Sequence, residues 1–280
     1  MRRRIGVCSW SLEPESAADL IGKLQACGLD CIQLALEPLR RGDWPFARAI
    51  GELRDAGVEI RSGMMSMRGE DYSSLASIRA TGGVRPDEHW KHNLDAAKQN
   101  AAIAQNLGLS LVTFHAGFLP HDASHRERGV MVERLRALVD VFGEHGVRIG
   151  FETGQESAET LLEFLEELAR PTAGVNFDPA NLILYGVGDP AIALRKLAER
   201  VLQIHVKDAR LTRVPGTWGD EVRVGLGDVD WNDFFRTLRD ERIDCDLMIE
   251  REAGNERMAD ITHAHKFVLG QLSASLKTGN

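Results

Sequence analysis

Four residues capable of holding a metal or moving a proton each close a short apolar run: Glu152, Asp178, His205 and Glu250. The first run is Arg148-Ile149-Gly150-Phe151-Glu152, followed by the turn residues Thr153-Gly154. A charge only at the exit of an otherwise buried strand serves structure poorly, and it suits a parallel sheet whose carboxyl edge does chemistry. Singly, each residue reads as readily as a solvated charge or a helix cap, and Asp178 before Pro179 is an ordinary turn former. Together they bring three carboxylates and an imidazole to consecutive strand ends. Crowded carboxylates repel, and their desolvation is costly unless a cation neutralises them. Oxygen ligands with one imidazole suit a single divalent ion such as Mn, Co, Zn or Mg.

Such a constellation needs strands that run the same way. Apolar β-rich runs fall at 5–10, 31–36, from 58 to 62, and at 111–115, 148–152, 174–178, 201–206 and 245–250. Amphipathic helical patterns separate them: from Pro14-Glu15-Ser16 to near Gly28, then 45–56, 86–107, 127–145, 157–168, 190–200, 231–240 and 257–272. In the 127–145 helix, Val130, Leu135, Leu138 and Val141 are expected on the inner face. Ser157 and Thr160 give the next helix a capping-box-like start. The stretch 64–84 lacks a pattern and reads as a mobile loop or a cover over substrate. Eight βα units without a GxGxxG after the first strand specify an α/β protein with one (β/α)8 TIM barrel, a single domain over 1–280.

Composition fits this reading. The chain has 280 residues, 43% hydrophobic and 27% charged, and a formal charge of −8, which argues against nucleic acid as a partner. The basic start Met1-Arg2-Arg3-Arg4 leads into an apolar stretch too short for a signal peptide, and no run is long enough for a membrane span. Cys8, Cys27, Cys31 and Cys245 are scattered without a CxxC pair, as expected of reduced thiols in a cytoplasmic protein.

Further residues are candidates for binding substrate. His115 closes the fourth strand, where it either meets a substrate hydroxyl or orients a ligand, or is a satisfied core histidine. Lys207 lies two residues past His205 and points the same way, toward a substrate carboxylate or carbonyl, or toward Asp208 or a glutamate. Trp10 at the end of strand one either stacks on a sugar or packs. Arg210, Arg213 and Arg223 flank a loop carrying Trp218 and either clamp an anionic group or are solvated, while His89 and His92 read as solvated.

The motifs Phe151-Glu152-Thr153-Gly154, Asn176-Phe177-Asp178-Pro179-Ala180-Asn181, His205-Val206-Lys207-Asp208 and Ile249-Glu250-Arg251-Glu252 resemble those of the xylose isomerase-like barrel superfamily. The nearest group is the sugar phosphate isomerases and epimerases, with the ketose 3-epimerases and inosose dehydratases. The helix end Ala104-Gln105-Asn106-Leu107-Gly108 and His115-Ala116-Gly117 are similar as well. The resemblance implies one metal ion on Glu152, Asp178, His205 and Glu250, with the two glutamates as acid and base. It implies isomerisation or epimerisation of a small ketose or keto-polyol through a metal-stabilised enediolate. Dehydration by loss of a β-hydroxyl is the alternative. Relatives are often dimers or tetramers, so the chain is expected as such an oligomer or as a monomer. Two departures matter. Asn181 stands where the family's abasic-site endonucleases place a metal-binding histidine, and Gly227-Asp228-Val229-Asp230-Trp231 lacks another, which disfavours a nuclease. Asn181 also replaces a histidine that contacts sugar in many ketose epimerases, which makes it a substrate-binding candidate and departs from a simple free ketose.

Overall fold

Eight strands, most of their residues buried, close on one another because neither face can be left to water. The computed structural model describes residues 3–122, 124–214 and 216–277, so Met1 and Arg2 of the basic start lie outside the described residues. The strands are β1 (Ile5–Cys8), β2 (Cys31–Ala35), β3 (Glu59–Met64), β4 (Leu111–Phe114), β5 (Arg148–Glu152), β6 (Ala173–Phe177), β7 (Val201–Val206), β8 (Asp208–Arg210), β9 (Asp220–Val222) and β10 (Asp246–Ile249). The closed barrel runs β1-β10-β7-β6-β5-β4-β3-β2, and β8 pairs antiparallel with β9 as a separate hairpin after β7. Every pairing within the barrel is parallel. This is the expected α/β barrel.

The helices are α1 (Ala17–Cys27), α2 (Glu37–Arg41), α3 (Phe46–Asp55), α4 (Leu75–Thr81), α5 (Asp87–Asn106), α6 (Arg126–Gly143), α7 (Ala158–Leu168), α8 (Pro179–Leu184), α9 (Pro190–Leu197), α10 (Trp231–Asp240) and α11 (Arg257–Lys277). Capping explains several boundaries: Ser16 accepts from Asp19 N, and Ser157 from Thr160 N. The inner face of α6 is carried by Met131, Leu135, Leu138, Val139 and Phe142, whereas Val130 is exposed. Five features depart from the expected pattern. Helix α4 forms inside the irregular 64–84 stretch, where Ser74 and Ser77 make a reciprocal capping box. Helices α2 and α8 are single short turns at strand exits, and the hairpin fills the loop after β7. Strand one stops at Cys8 and continues as a 3-10 turn, Ser9–Leu12, which carries Trp10 to the rim.

The period-2 alternation of strands decides what enters the barrel. On β7 it sends Gln203, His205 and, just past the strand, Lys207 inward, and all three are buried. The cysteines are free, and no helix among the described residues is long and apolar enough to cross a membrane.

Candidate active site

The four strand-end residues converge. One donor atom from each of Glu152, Asp178, His205 and Glu250 lies within 4.8 Å of the others, and all four residues are buried. His205 Nδ1 is 3.5 Å from Glu152 Oε1, 3.4 Å from Glu250 Oε2 and 4.0 Å from Asp178 Oδ2. Asp178 divides its carboxylate between two tasks. Oδ1 caps α8 by accepting from Ala180 N and Asn181 N, at 2.8 and 3.1 Å. Oδ2 is buried and, like His205 Nδ1, has no hydrogen-bond partner. Two unpartnered buried polar atoms 4.0 Å apart suit a cation site, since a buried polar atom left unpaired costs about 1–3 kcal/mol.

The charges agree. Glu250 is bound on both oxygens, accepting from Trp10 Nε1 at 2.9 Å and from Lys207 Nζ at 2.9 Å. Lys207 also reaches Glu252 Oε2 at 2.7 Å, while Asp208 is occupied elsewhere. With the imidazole neutral and all three carboxylates ionised, as a bound ion would leave them, the buried set is three carboxylates and one ammonium, two negative charges for a divalent ion to balance. Burial would raise Glu250, but Lys207 and His205 hold it well below the usual carboxylate range. Burial pushes the Asp178 carboxyl up to about 8, against Lys207 and with help from Glu250 and Glu152. The residues therefore fit a divalent metal.

Above the cluster opens a cavity of about 630 Å³. Of the substrate-binding candidates, Trp10, His115, Asn181 and Lys207 line it. His115 Nε2 lies 3.7 Å from Glu152 Oε1, and its Nδ1 has no partner. Asn181 Nδ2 donates to Glu152 Oε1 at 3.0 Å. Arg210 lies outside: it is exposed and its Nε donates to Leu226 O, because the β8–β9 hairpin turns it outward. Arg223 pairs with Asp260. The loop that carries them is organised by Asp208. Its carboxylate accepts from Ala209, Gly225, Gly227 and Val229 N–H groups and from Trp231 Nε1. A Cβ at Gly227 would stand 2.0 Å from Asp208 Oδ1, so only glycine admits this approach.

Several lining residues escaped the sequence. Glu37, Glu70 and Tyr72 come from the ends of β2 and the 64–84 stretch, and Tyr185 meets Trp218 edge-on at 4.9 Å across the mouth. Glu37 and Glu70 both have their carboxyls raised by burial. Only Glu252 had a signal: it shares the inward parity of Glu250 on the same strand exit.

The model of the xylose isomerase-like TIM barrel matches residues 21–269. The chain belongs to this family. Among solved structures it is similar to the xylose isomerase domain protein of Planctomyces limnophilus, with 30% identity, 96% of each chain covered and a TM-score of 0.85. An L-ribulose 3-epimerase structure shares 17% identity, with a TM-score of 0.75 over 99% of this chain and 96% of that one. The probable 3-DHS dehydratase AsbF of Bacillus anthracis shares 19%, with a TM-score of 0.72 over 96% and 99%. At these identities the two enzymes share the fold. No curated protein matches.

Proposed function

We propose that this family member is a divalent-metal-dependent isomerase or epimerase acting on a small ketose or keto-polyol. The observation that carries the reading is the pair of buried, unpartnered polar atoms, Asp178 Oδ2 and His205 Nδ1, among carboxylates that lack two positive charges. Glu152, Asp178, His205 and Glu250 would hold the ion. When bound, it would polarise a carbonyl and stabilise the negative charge that develops as the neighbouring C–H proton leaves.

The rest falls to the side chains. Glu152, with Asn181 on Oε1, is the base that takes the proton, and its contact with His115 leaves the imidazole beside the reacting carbons. Glu250 is the second acid/base group, which takes a proton from solvent before returning it to the carbon, and Lys207 holds its Oε2 in place. Trp10 Nε1 fixes the orientation of that carboxylate. Positioned proton transfer of this kind contributes about 10²–10⁴-fold. The cavity walls supply carboxylates and aromatic faces, which suit the hydroxyls of a carbohydrate and not a polyanion.

Metal analysis of the purified protein comes first. Next, Glu152→Gln and Glu250→Gln are compared with wild type for solvent deuterium entry into a panel of ketoses and inososes. Expected are one divalent ion per chain and exchange that each variant loses by at least about 10²-fold. Absence of any bound metal sinks the reading. Exchange accompanied by loss of water moves it to a dehydratase.

A further inference from the structure

The interior of such a barrel is ordinarily filled by branched apolar side chains. Here Gln33, Ser62, Thr113 and Gln203 are buried beneath His205 and bonded to one another, with Asn176 buried beside them. We propose that Gln33 is a positioning residue for the metal. Its side-chain carbonyl holds the His205 proton on Nε2 and so leaves Nδ1 to the ion. The inference rests on the metal reading above.

The hydrogen bonds fix the orientation of the Gln33 amide. Its Nε2 donates to Gly63 O at 3.2 Å and to Thr113 Oγ1 at 2.7 Å. A backbone carbonyl only accepts, so the NH₂ end must face Gly63 and the oxygen must face the other way. That oxygen accepts from Gln203 Nε2 at 2.9 Å and stands 2.7 Å from His205 Nε2. Two lone pairs do not meet at that distance, so Nε2 carries the hydrogen. The thiol of Cys8, 3.5 Å from the same oxygen, adds a weak donor. Asn176 Nδ2 lies 3.0 Å from the same ring nitrogen. With Nε2 protonated, the Asn176 amide presents its oxygen there, at the expense of its 3.2 Å contact with Gln203 and its 3.4 Å donation to Glu152 Oε2. The shorter contact decides.

Burial works against a charged ring, yet the carboxylates hold it well above the usual imidazole range, so metal-free Nδ1 takes up a proton. An ion that displaces it meets a lone pair on Nδ1 among three carboxylates, with Nε2–H kept on Gln33. That arrangement is repulsive without a cation and becomes a ligand set with one. Partners that fix a ligating imidazole typically matter about 10–100-fold in metal affinity.

Two measurements test this. In ¹⁵N-labelled wild type loaded with diamagnetic Zn²⁺, long-range ¹H–¹⁵N correlation of the His205 ring should place its one proton on Nε2. A proton on Nδ1 overturns the proposal. Calorimetric titration with Mn²⁺ should show binding about 10–100-fold weaker in Gln33→Leu and within a few-fold of wild type in Gln33→Glu, which keeps the acceptor. Equal affinity in Gln33→Leu and wild type overturns the positioning role alone. Failure of wild type to bind Mn²⁺, Mg²⁺ or Zn²⁺ overturns the proposed function and this role with it. If Gln33→Leu does not fold, the tautomer and Gln33→Glu decide: weak binding by that variant counts against the proposal.

Discussion

The Lys207 ammonium sits 2.9 Å from Glu250 Oε2, and both side chains are buried. Burial works against the ammonium, yet Glu250 and Glu252 keep it charged well above the usual lysine range. The lysine is therefore committed to protein carboxylates. Removing one partner of a buried pair strands the other charge, at about 3–5 kcal/mol. Lys207→Met should lose about that much stability in the metal-free protein, measured by urea unfolding. Saturating Mn²⁺ should narrow the gap, because the ion neutralises the same carboxylates. An equal loss with and without metal would count against a shared charge balance.

Asp178 gives the clearest pH dependence. Its folded carboxyl, pushed up to about 8 by burial, then by Glu250 and Glu152, binds its proton more tightly than in the unfolded chain. A raised folded pKa stabilises below the unfolded value, and that contribution is lost as pH climbs to about 8. The ion must displace the proton. Mn²⁺ affinity should therefore rise from pH 6 to about pH 8 and then level off. His205, also raised by its carboxylate neighbours, must give up a proton too, so calorimetry in buffers of different ionisation enthalpy should show more than one proton released at pH 6.5 and fewer at pH 9. Binding without proton release at pH 6.5 would contradict the site.

The barrel and the convergence of its four strand-end residues were legible because two rules act locally. Buried parallel strands are continuous apolar runs, and Glu152, Asp178, His205 and Glu250 each interrupt one at its exit. Lys207 and Trp10 followed from parity and position. The cavity wall was not legible: Tyr72, Glu70 and Tyr185 sit on irregular or single-turn segments where no periodicity says which way a side chain points. Arg210 failed for a related reason, since hairpin pairing set its direction after the barrel strand had ended. Gln33 had a signal that went unused, a polar residue at an inward position between Ile32 and Leu34.

Glu156 offers a test away from the ligands. Burial alone pushes its carboxyl up to about 8. By the same sign rule, the folded protein holds that proton through neutral pH, and Glu156 loses stability for the fold as pH rises from about 4 to about 8. The slope is about 1.4 kcal/mol per pH unit for one proton. Glu156→Gln removes this dependence. The variant should match wild type near pH 5 and be more stable at pH 8–9, read from unfolding midpoints across pH. A pH-independent difference would mean that the carboxyl has an ordinary pKa.

Gly154 ties backbone geometry to the proposed base. Its φ is 130°, a conformation that side chains avoid, and an added Cβ would fall 2.2 Å from Asn181 Cβ. That closeness lets Asn181 Nδ2 donate both to Glu152 Oε1 and to Thr153 O, at 3.0 and 3.2 Å. Gly154→Ala must shift the β5 exit or α8, and α8 is the helix that Asp178 caps. The strain is about 1–3 kcal/mol, so the variant should fold with reduced stability. Its proton exchange should fall further than that of Asn181→Ala, which removes the hydrogen bonds and leaves the backbone in place. If Gly154→Ala exchanges as fast as wild type, the close approach of these two segments is not what sets the Glu152 carboxylate.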